Sequence, residues 1–268
     1  MSKPKISLEN HDELYEYYAK KKLSPTIVRI SHFLLSQAFK PRVHYIDDSK
    51  EKIKETFARG GQFIMTSNHL SAADQYILGS IVRREEVLRP FMGNTVIPGK
   101  APVFKIPVLR SFVDNLGAVP TFRTKEVLSE ENSHLNPDER DKAHSASRQA
   151  LLDVCIKRVT KDGMSMAIFP EGTRNRENPE NLLPLKIGVG IVACEASTEV
   201  EDLSILPIGM SYRSSKALDA RDPIVCIGEP ILGPFNEVDQ VLELVDEKLQ
   251  KCVDAARFIV NHENVYDY

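Results

Sequence analysis

Two short polar segments combine residue types that can move protons and hold anions. In SNHLSAAD, His69 lies five residues before Asp74, and in FPEGTRNR, Glu171 lies three residues before Arg174. A carboxylate that accepts the N–H of an imidazole fixes the tautomer of the ring and leaves the other nitrogen to take a proton from a hydroxyl. The first segment therefore predicts general-base chemistry without a serine nucleophile.

The His69–Asp74 spacing also has a purely structural interpretation. Ser71-x-x-Asp74 fits a capping box, in which Asp74 serves a helix start near Ser71 and His69 is a loop histidine. Within one continuous helix, residues five apart point in different directions. The two side chains therefore meet only if His69 precedes the helix, and from these residues alone both interpretations stay open.

The second segment predicts an anion-binding turn. Glu171 is followed by Gly172, Thr173 and Arg174, and Lys186 comes fifteen residues after the carboxylate. Guanidinium groups grip phosphate bidentately, and glycine lets the backbone approach a ligand closely. The alternative is a surface loop held by salt bridges.

A third region, residues 100–123, combines cations with apolar side chains. A membrane surface, an anionic lipid or an anionic cofactor suits this mixture better than DNA does. The charged residues are Lys100, Lys105, Arg110, Asp114 and Arg123, and the apolar ones include Phe104, Ile106, Val108, Leu109 and Phe112.

Composition narrows the classes of protein that can contain these segments. The net charge of −3 argues against a general nucleic-acid binder, which needs a surplus of cations facing phosphates. The apolar runs are shorter than the roughly 20 residues of a membrane span, and the N-terminal residues lack the apolar core of a secretory signal. We expect a cytoplasmic protein that is peripheral on the cytoplasmic membrane face if it meets lipid.

The elements that must position these segments alternate between strands and helices. This alternation predicts an α/β fold with a central, mostly parallel sheet covered by helices, in a domain spanning 40–268 that follows an N-terminal helical pair at 1–39. Strands are predicted at 43–46, 62–66, 88–92, 164–169, 203–211 and 223–227, and helices at 11–22, 25–39, 71–83, 139–161, 186–198 and 236–260.

Four blocks in order resemble the glycerolipid acyltransferases, the family of 1-acylglycerol-3-phosphate and glycerol-3-phosphate acyltransferases. The resemblance covers roughly residues 40–232 and implies a fold like that of glycerol-3-phosphate acyltransferase. NHLSAAD matches the Asn-His-x-x-x-x-Asp motif with His69 and Asp74, and the second block, ending at GAVPTFR, supplies Gly117 and Arg123. The third block, FPEGTRN, supplies Glu171, Gly172 and Arg174 and is followed by the LPLKIG element with Lys186. The fourth block, ILPIGMSY, contains Pro207.

The resemblance implies that His69, oriented by Asp74, removes a proton from a glycerol hydroxyl that attacks the thioester of acyl-CoA or acyl-carrier protein directly. Arg123, Arg174 and Lys186 would hold the acceptor's phosphate, with Glu171, Gly172 and Thr173 shaping its pocket. No metal or prosthetic group is expected, and a membrane surface is a candidate partner.

The expected acceptor is 1-acyl-sn-glycerol-3-phosphate, which would yield phosphatidic acid for phospholipid biosynthesis. Glycerol-3-phosphate is the alternative, followed by other lysophospholipids. Two other classes stay open: a metal-dependent hydrolase with His69, Asp74 and Glu171 as ligands, and a non-catalytic lipid-binding relative.

Overall fold

Eight strands in the described part of the chain form one mixed sheet. The computed structural model describes residues 3–129, 132–213 and 223–263. The strand order is β1-β7-β6-β2-β5-β3-β4, with β8 also pairing with β6. β2, β3, β4, β5 and β6 are mutually parallel, β1 is parallel to β7, and β7 and β8 are antiparallel to β6. The strands are β1 (Arg42–Tyr45), β2 (Gln62–Ser67), β3 (Thr95–Lys100), β4 (Ala118–Thr121), β5 (Ser165–Ile168), β6 (Leu203–Ser211), β7 (Ile224–Ile227) and β8 (Ile231–Leu232).

Helices cover both faces of the sheet. They are α1 (His11–Lys20), α2 (Pro25–Ala38), α3 (Ser49–Ala58), α4 (Asp74–Arg84), α5 (Ala101–Phe104), α6 (Pro107–Asn115), α7 (Thr124–Val127), α8 (Pro137–Thr160), α9 (Gly188–Ser197) and α10 (Val238–Glu263), with a 3-10 helix at Glu86–Phe91. Local signals explain several starts: Pro25 and Pro137 each occupy a first helical position, and Asn136 and Glu139 form a reciprocal capping box. The predicted α/β class is confirmed.

Successive residues of the central strands face opposite helical layers. On β2, Ile64 packs in the core under α1, α8 and α9, whereas Phe63 and Met65 pack in the core under α3 and α4. All nine residues of β6 are buried. This burial on both faces explains why the strands read as unbroken apolar runs rather than as alternating ones.

The long helix α10 lies unusually close to β6. A methyl group on Gly209 would come within 2.2 Å of the backbone carbon of Cys252, a distance that no side chain tolerates. Glycine is therefore required there for close approach of helix and strand, not for its freedom of φ.

One predicted strand was wrong. Residues 88–91 lie in the 3-10 helix, which contains Pro90, and Met92 follows its end. The strand that enters the sheet is β3, which begins seven residues after the predicted strand does. Pro98 and Gly99, which are depleted in strands, hid β3 from pattern reasoning. The sheet tolerates them because β3 pairs with β5 only at Thr95 and Val96, and its later residues pair with β4 alone.

The two N-terminal helices pack on different parts of the fold. α1 lies against α8, and α2 lies against α4 and α6. Tyr15 donates to the carbonyl of Pro120 (2.9 Å) and Tyr18 to Asp114 Oδ1 (2.7 Å), so α1 is tied to β4 and α6. The helices at 11–22 and 25–39 are confirmed to within two residues, while the domain boundary at residue 39 stays a prediction.

Candidate active site

His69 and Asp74 meet at the carboxyl end of β2. His69 Nδ1 lies 2.8 Å from Asp74 Oδ2. The geometric condition set by the sequence is met because α4 begins at Asp74, later than the predicted start at residue 71, so His69 precedes the helix. With Nδ1–H directed at the carboxylate, Nε2 is the ring nitrogen that can take a proton. The imidazole is 18% exposed, so a substrate can reach it.

The carboxylate of Asp74 is fully buried, and N–H and O–H donors surround it. Besides the imidazole, Oδ2 accepts the backbone N–H groups of Leu70 (2.6 Å) and Ser71 (2.8 Å), and Oδ1 accepts the hydroxyl of Tyr212. The catalytic and structural interpretations of the spacing thus describe the same side chain, which orients His69 and closes the turn before α4. Such donors stabilise a charge that burial alone would disfavour.

The FPEGTRN segment holds the backbone of His69 on both sides. Glu171 Oε1 accepts the His69 N–H (2.7 Å), and the Asn175 N–H donates to the His69 carbonyl (2.7 Å). The ring of Phe169 stacks on the imidazole, with centroids 4.3 Å apart. These contacts set the position of the turn before any substrate arrives.

Glu171 lies away from the solvent, under residues 68–73, which join β2 to α4 and contain His69; we call these residues the candidate catalytic turn. It is 1% exposed, and its second oxygen accepts the Leu183 N–H (3.0 Å). Burial raises the pKa of its carboxyl group, while the hydrogen bonds from Leu183 and His69 act in the opposite direction. Both oxygens are therefore used in positioning backbone, which differs from the acceptor contact that the sequence suggested.

Asn68 joins the ends of β2 and β6. Its side chain accepts from the Met210 N–H (2.8 Å) and donates to the Met210 carbonyl (3.0 Å). The strands are in register up to Ser67 and Ile208, so this amide extends their pairing beyond the regular ladder. These two hydrogen bonds, which we call the Asn68–Met210 bridge, bring the end of β6 beside the candidate catalytic turn.

A cationic cleft of about 460 Å³ opens near the ends of β3 and β4. Its lining includes the cations Lys100, Lys105, Arg123, Lys125 and Arg174, the carboxylate Glu126, and the apolar or neutral residues Leu8, Ala101, Pro102, Phe122, Ser129 and Asn132. Burial lowers the pKa of Lys100, and the nearby charges of Arg174 and Arg123 lower it further. The cleft thus has more positive charge than its own residues neutralise and suits a phosphorylated ligand.

Residues 48–211 match the family model described as Acyltransferase. The chain belongs to the acyltransferase family. This match spans more than half of the chain and confirms the resemblance inferred from the motifs. A curated relative, the chloroplastic 1-acyl-sn-glycerol-3-phosphate acyltransferase BAT2 of Brassica napus, is 26% identical over 198 residues, which are 73% of this chain and 47% of the relative. The chain spans about half the length of that relative.

The structure brings only some of the predicted binding residues into the cleft. Arg123 and Arg174 line it, although the Arg123 Nε also contacts Glu126 Oε2 at 3.0 Å. Gly172 has a φ of +69°, which favours glycine, and the stem of Lys186 lies beside it. Thr173 and Lys186 are exposed and outside the cleft lining. Their roles in binding stay predictions.

Several residues of the candidate site were missed in the sequence. The cations Lys100 and Lys105 were noticed only as part of a basic span, and Lys125 begins a polar stretch, residues 125–142, that the sequence predicts to be a solvated surface segment. Asn175 and Tyr212 gave no signal, because their partners are distant in the chain and only the strand order brings them together.

Two further observations concern metal sites and membrane-spanning helices. Among residues 3–129, 132–213 and 223–263, no group of three His, Cys, Asp or Glu side chains is arranged to hold a metal ion. In the same ranges, no helix is both long enough and apolar enough to cross a bilayer.

Proposed function

We propose that the protein is an O-acyltransferase that moves a fatty acyl group from a thioester to the free hydroxyl of 1-acyl-sn-glycerol-3-phosphate. The observation that carries this proposal is the His69–Asp74 pair. It lies after the end of β2, at the same edge of the sheet as the cationic cleft near the ends of β3 and β4. Membership of the acyltransferase family supports the reaction type. The plant relative, which is named a 1-acyl-sn-glycerol-3-phosphate acyltransferase, supports the acceptor.

The chemistry follows from the direction of the imidazole. His69 Nε2 takes the proton of the acceptor hydroxyl while that oxygen attacks the thioester carbonyl. The tetrahedral intermediate collapses, the C–S bond breaks, and the imidazolium returns its proton to the leaving thiolate. The buried Asp74 carboxylate stabilises the imidazolium between these steps. No acyl-enzyme forms, so the chain needs no serine or cysteine nucleophile at the site.

The cleft would hold the acceptor's phosphate. Arg174 and Arg123 present planar guanidinium groups that match phosphate geometry, and Lys100 adds a third cation from the end of β3. Acyl-CoA and acyl-carrier protein offer the same thioester, so this arrangement is compatible with either donor.

An exposed apolar surface favours a lipid acceptor over glycerol-3-phosphate. We call it the α2/α6 face: Ile27, Ile30, Phe33 and Leu34 on α2, with Ile106, Val108 and Leu109 at the start of α6, all 38–80% exposed. α2 packs on α4 through its opposite side, so core packing does not explain these residues. The face adjoins the cleft at Lys105 and Ile106. We infer that it docks on a bilayer, from which a lysophospholipid enters headgroup first.

The deciding experiment measures acyl transfer from labelled acyl-CoA and from acyl-carrier protein to both acceptors. We expect product from 1-acyl-sn-glycerol-3-phosphate, its loss in His69→Ala, and no loss in His134→Ala, which changes a histidine paired with Glu9 far along the chain. Product from glycerol-3-phosphate alone would keep the mechanism and overturn the acceptor. No transfer to either acceptor would contradict the proposed activity.

A vesicle sedimentation assay tests the docking face separately. Vesicles of phosphatidylglycerol and phosphatidylcholine should retain the protein, and Ile30→Glu with Val108→Glu should release it. Phe258→Glu is the matched control, because Phe258 is 61% exposed on α10 and belongs to no such face. Equal retention of all three proteins would show that the α2/α6 face does not bind lipid.

A further inference from the structure

Asp74 uses its two oxygens unequally. Three N–H groups, from His69, Leu70 and Ser71, converge on Oδ2. Oδ1 accepts the hydroxyl of Tyr212, which lies one residue beyond β6. Since the carboxylate is fully buried, water cannot replace a lost donor at Oδ1 without a change of structure.

The fold brings Tyr212 to this place by two means. The two hydrogen bonds of the Asn68–Met210 bridge fix the end of β6 beside the candidate catalytic turn. The half-buried ring of Tyr212 also packs against the core cluster under α3 and α4, which aims its hydroxyl at Asp74. Burial and the Asp74 charge raise the pKa of Tyr212, so the phenol stays a neutral donor throughout the working pH range.

We propose that Tyr212 is a positioning residue that acts through Asp74: its hydroxyl holds Oδ1 so that Oδ2 faces His69 Nδ1, and it withdraws part of the carboxylate's negative charge. The first effect keeps the imidazole in the productive orientation. The second weakens the pull of Asp74 on the imidazolium proton, so that His69 releases this proton more readily to the leaving thiolate.

Loss of the Tyr212 hydroxyl should raise the pH up to which the His69–Asp74 pair keeps its protons. Without the phenol, the carboxylate is more negative, so the His69–Asp74 pair retains its protons to higher pH. Among the described residues, Tyr212 from the end of β6 interacts with Asp74, and Glu171 from the segment after β5 interacts with both His69 and Asp74. A Tyr212→Phe change leaves Glu171 and the ring packing in place.

The inference rests on the proposed function, but one test does not require any substrate. NMR titration of the His69 imidazole should show the Tyr212→Phe protein keeping its proton to a pH about half a unit to one unit higher than the wild-type protein does. Tyr45→Phe is the matched control: it removes a tyrosine hydrogen bond to Glu85 Oε2 (3.1 Å) elsewhere in the molecule. An unchanged titration in Tyr212→Phe would overturn the proposal even if acyl transfer is never detected.

The kinetic test uses the acyltransferase assay. In Tyr212→Phe, kcat should fall about tenfold, as expected for one lost hydrogen bond to a charged group, with little change in KM. The acid limb of kcat/KM should move to higher pH. In an Asp74→Asn background, Tyr212→Phe should have no further effect on kcat. A tenfold fall in that background, or a fall without a pH shift, would assign Tyr212 a merely structural role.

A second variant covers the case in which Tyr212→Phe does not fold. Site-specific 3-fluorotyrosine at position 212 keeps the shape of the side chain and makes the phenol a stronger donor. The His69 titration and the acid limb should then move to lower pH, opposite to the phenylalanine variant. A shift to higher pH, or none, would contradict the proposal.

Discussion

The candidate catalytic turn and the cationic cleft are built in opposite ways. At the turn, His69, Asp74 and Glu171 each have short hydrogen bonds to fixed partners, and both carboxylates are buried. In the cleft, Lys100 and Lys125 are exposed side chains on long stems, whereas the exposed Arg123 is paired with Glu126. The difference indicates that the chemical step depends on preorganised geometry, whereas binding relies on charge that adapts to a ligand.

The largest effect should come from the orienting carboxylate. Asp74→Asn presents an amide where Nδ1–H needs an acceptor, which favours the wrong tautomer of His69. We expect kcat to fall by about 10³-fold or more, with the acceptor KM nearly unchanged. Steady-state kinetics check this, with Asp141→Asn on the exposed side of α8 as control. Activity within tenfold of the wild-type value would mean that the turn tolerates loss of the pair.

The next effect concerns Glu171 and distinguishes positioning from substrate contact. Glu171→Gln sets an amide N–H against one of the two backbone N–H donors. It should lower the free energy of unfolding by about 2 kcal/mol and reduce kcat about tenfold to a hundredfold, without raising KM. Thermal unfolding and kinetics measure both, and Glu177→Gln, exposed on the same segment, is the control. A raised KM with normal kcat would restore the acceptor contact predicted from the sequence.

A smaller effect is expected in the cleft. Arg174→Gln should raise the acceptor KM about tenfold while kcat changes little, because it removes one charge-assisted contact to phosphate. The increase should diminish as salt screens the remaining cations. Arg176→Gln, exposed and outside the lining, is the matched control. If both variants behave alike, the cleft is not the phosphate site.

The smallest effect is a pH dependence of binding. Because burial and neighbouring cations lower the pKa of Lys100, this lysine loses its charge at a lower pH than an ordinary lysine does. Acceptor KM should therefore rise with pH before the ordinary lysine value of about 10.4 is approached. Lys100→Arg keeps its charge and should remove the rise. KM profiles of the two proteins on the alkaline side decide this, and a rise of equal size in both would assign the titration elsewhere.

Residue types and local spacing were sufficient to predict that His69 and Asp74 can meet, which the structure shows, while their catalytic role stays a prediction. His69 and Asp74 are neighbours in the chain, and the end of an apolar strand followed by a helix start is a local pattern. The α/β class followed from alternation in the same way. β3 was missed because Pro98 and Gly99 contradict strand propensity, and only its one-sided pairing explains how the sheet accepts them.

The contacts that support the pair were beyond such reasoning. Glu171 meets His69 across 102 positions of the chain, and Tyr212 meets Asp74 across 138. Their roles depend on β2 lying between β5 and β6, an order that propensity does not specify. The type of Glu171 suggested binding of a ligand, whereas the structure shows both of its buried oxygens accepting backbone N–H groups; its role toward the acceptor stays a prediction.

The close contact between Gly209 and Cys252 joins the strand that leads to Tyr212 to α10, a helix that follows all four motif blocks along the chain. β6 carries Met210 and leads to Tyr212, and α10 covers one face of this strand at a distance that only glycine permits. We therefore expect the turn at His69 to reach its final geometry only after α10 has docked. During synthesis on the ribosome, the turn at His69 should therefore be completed only when α10 has emerged, which is later than the four motif blocks.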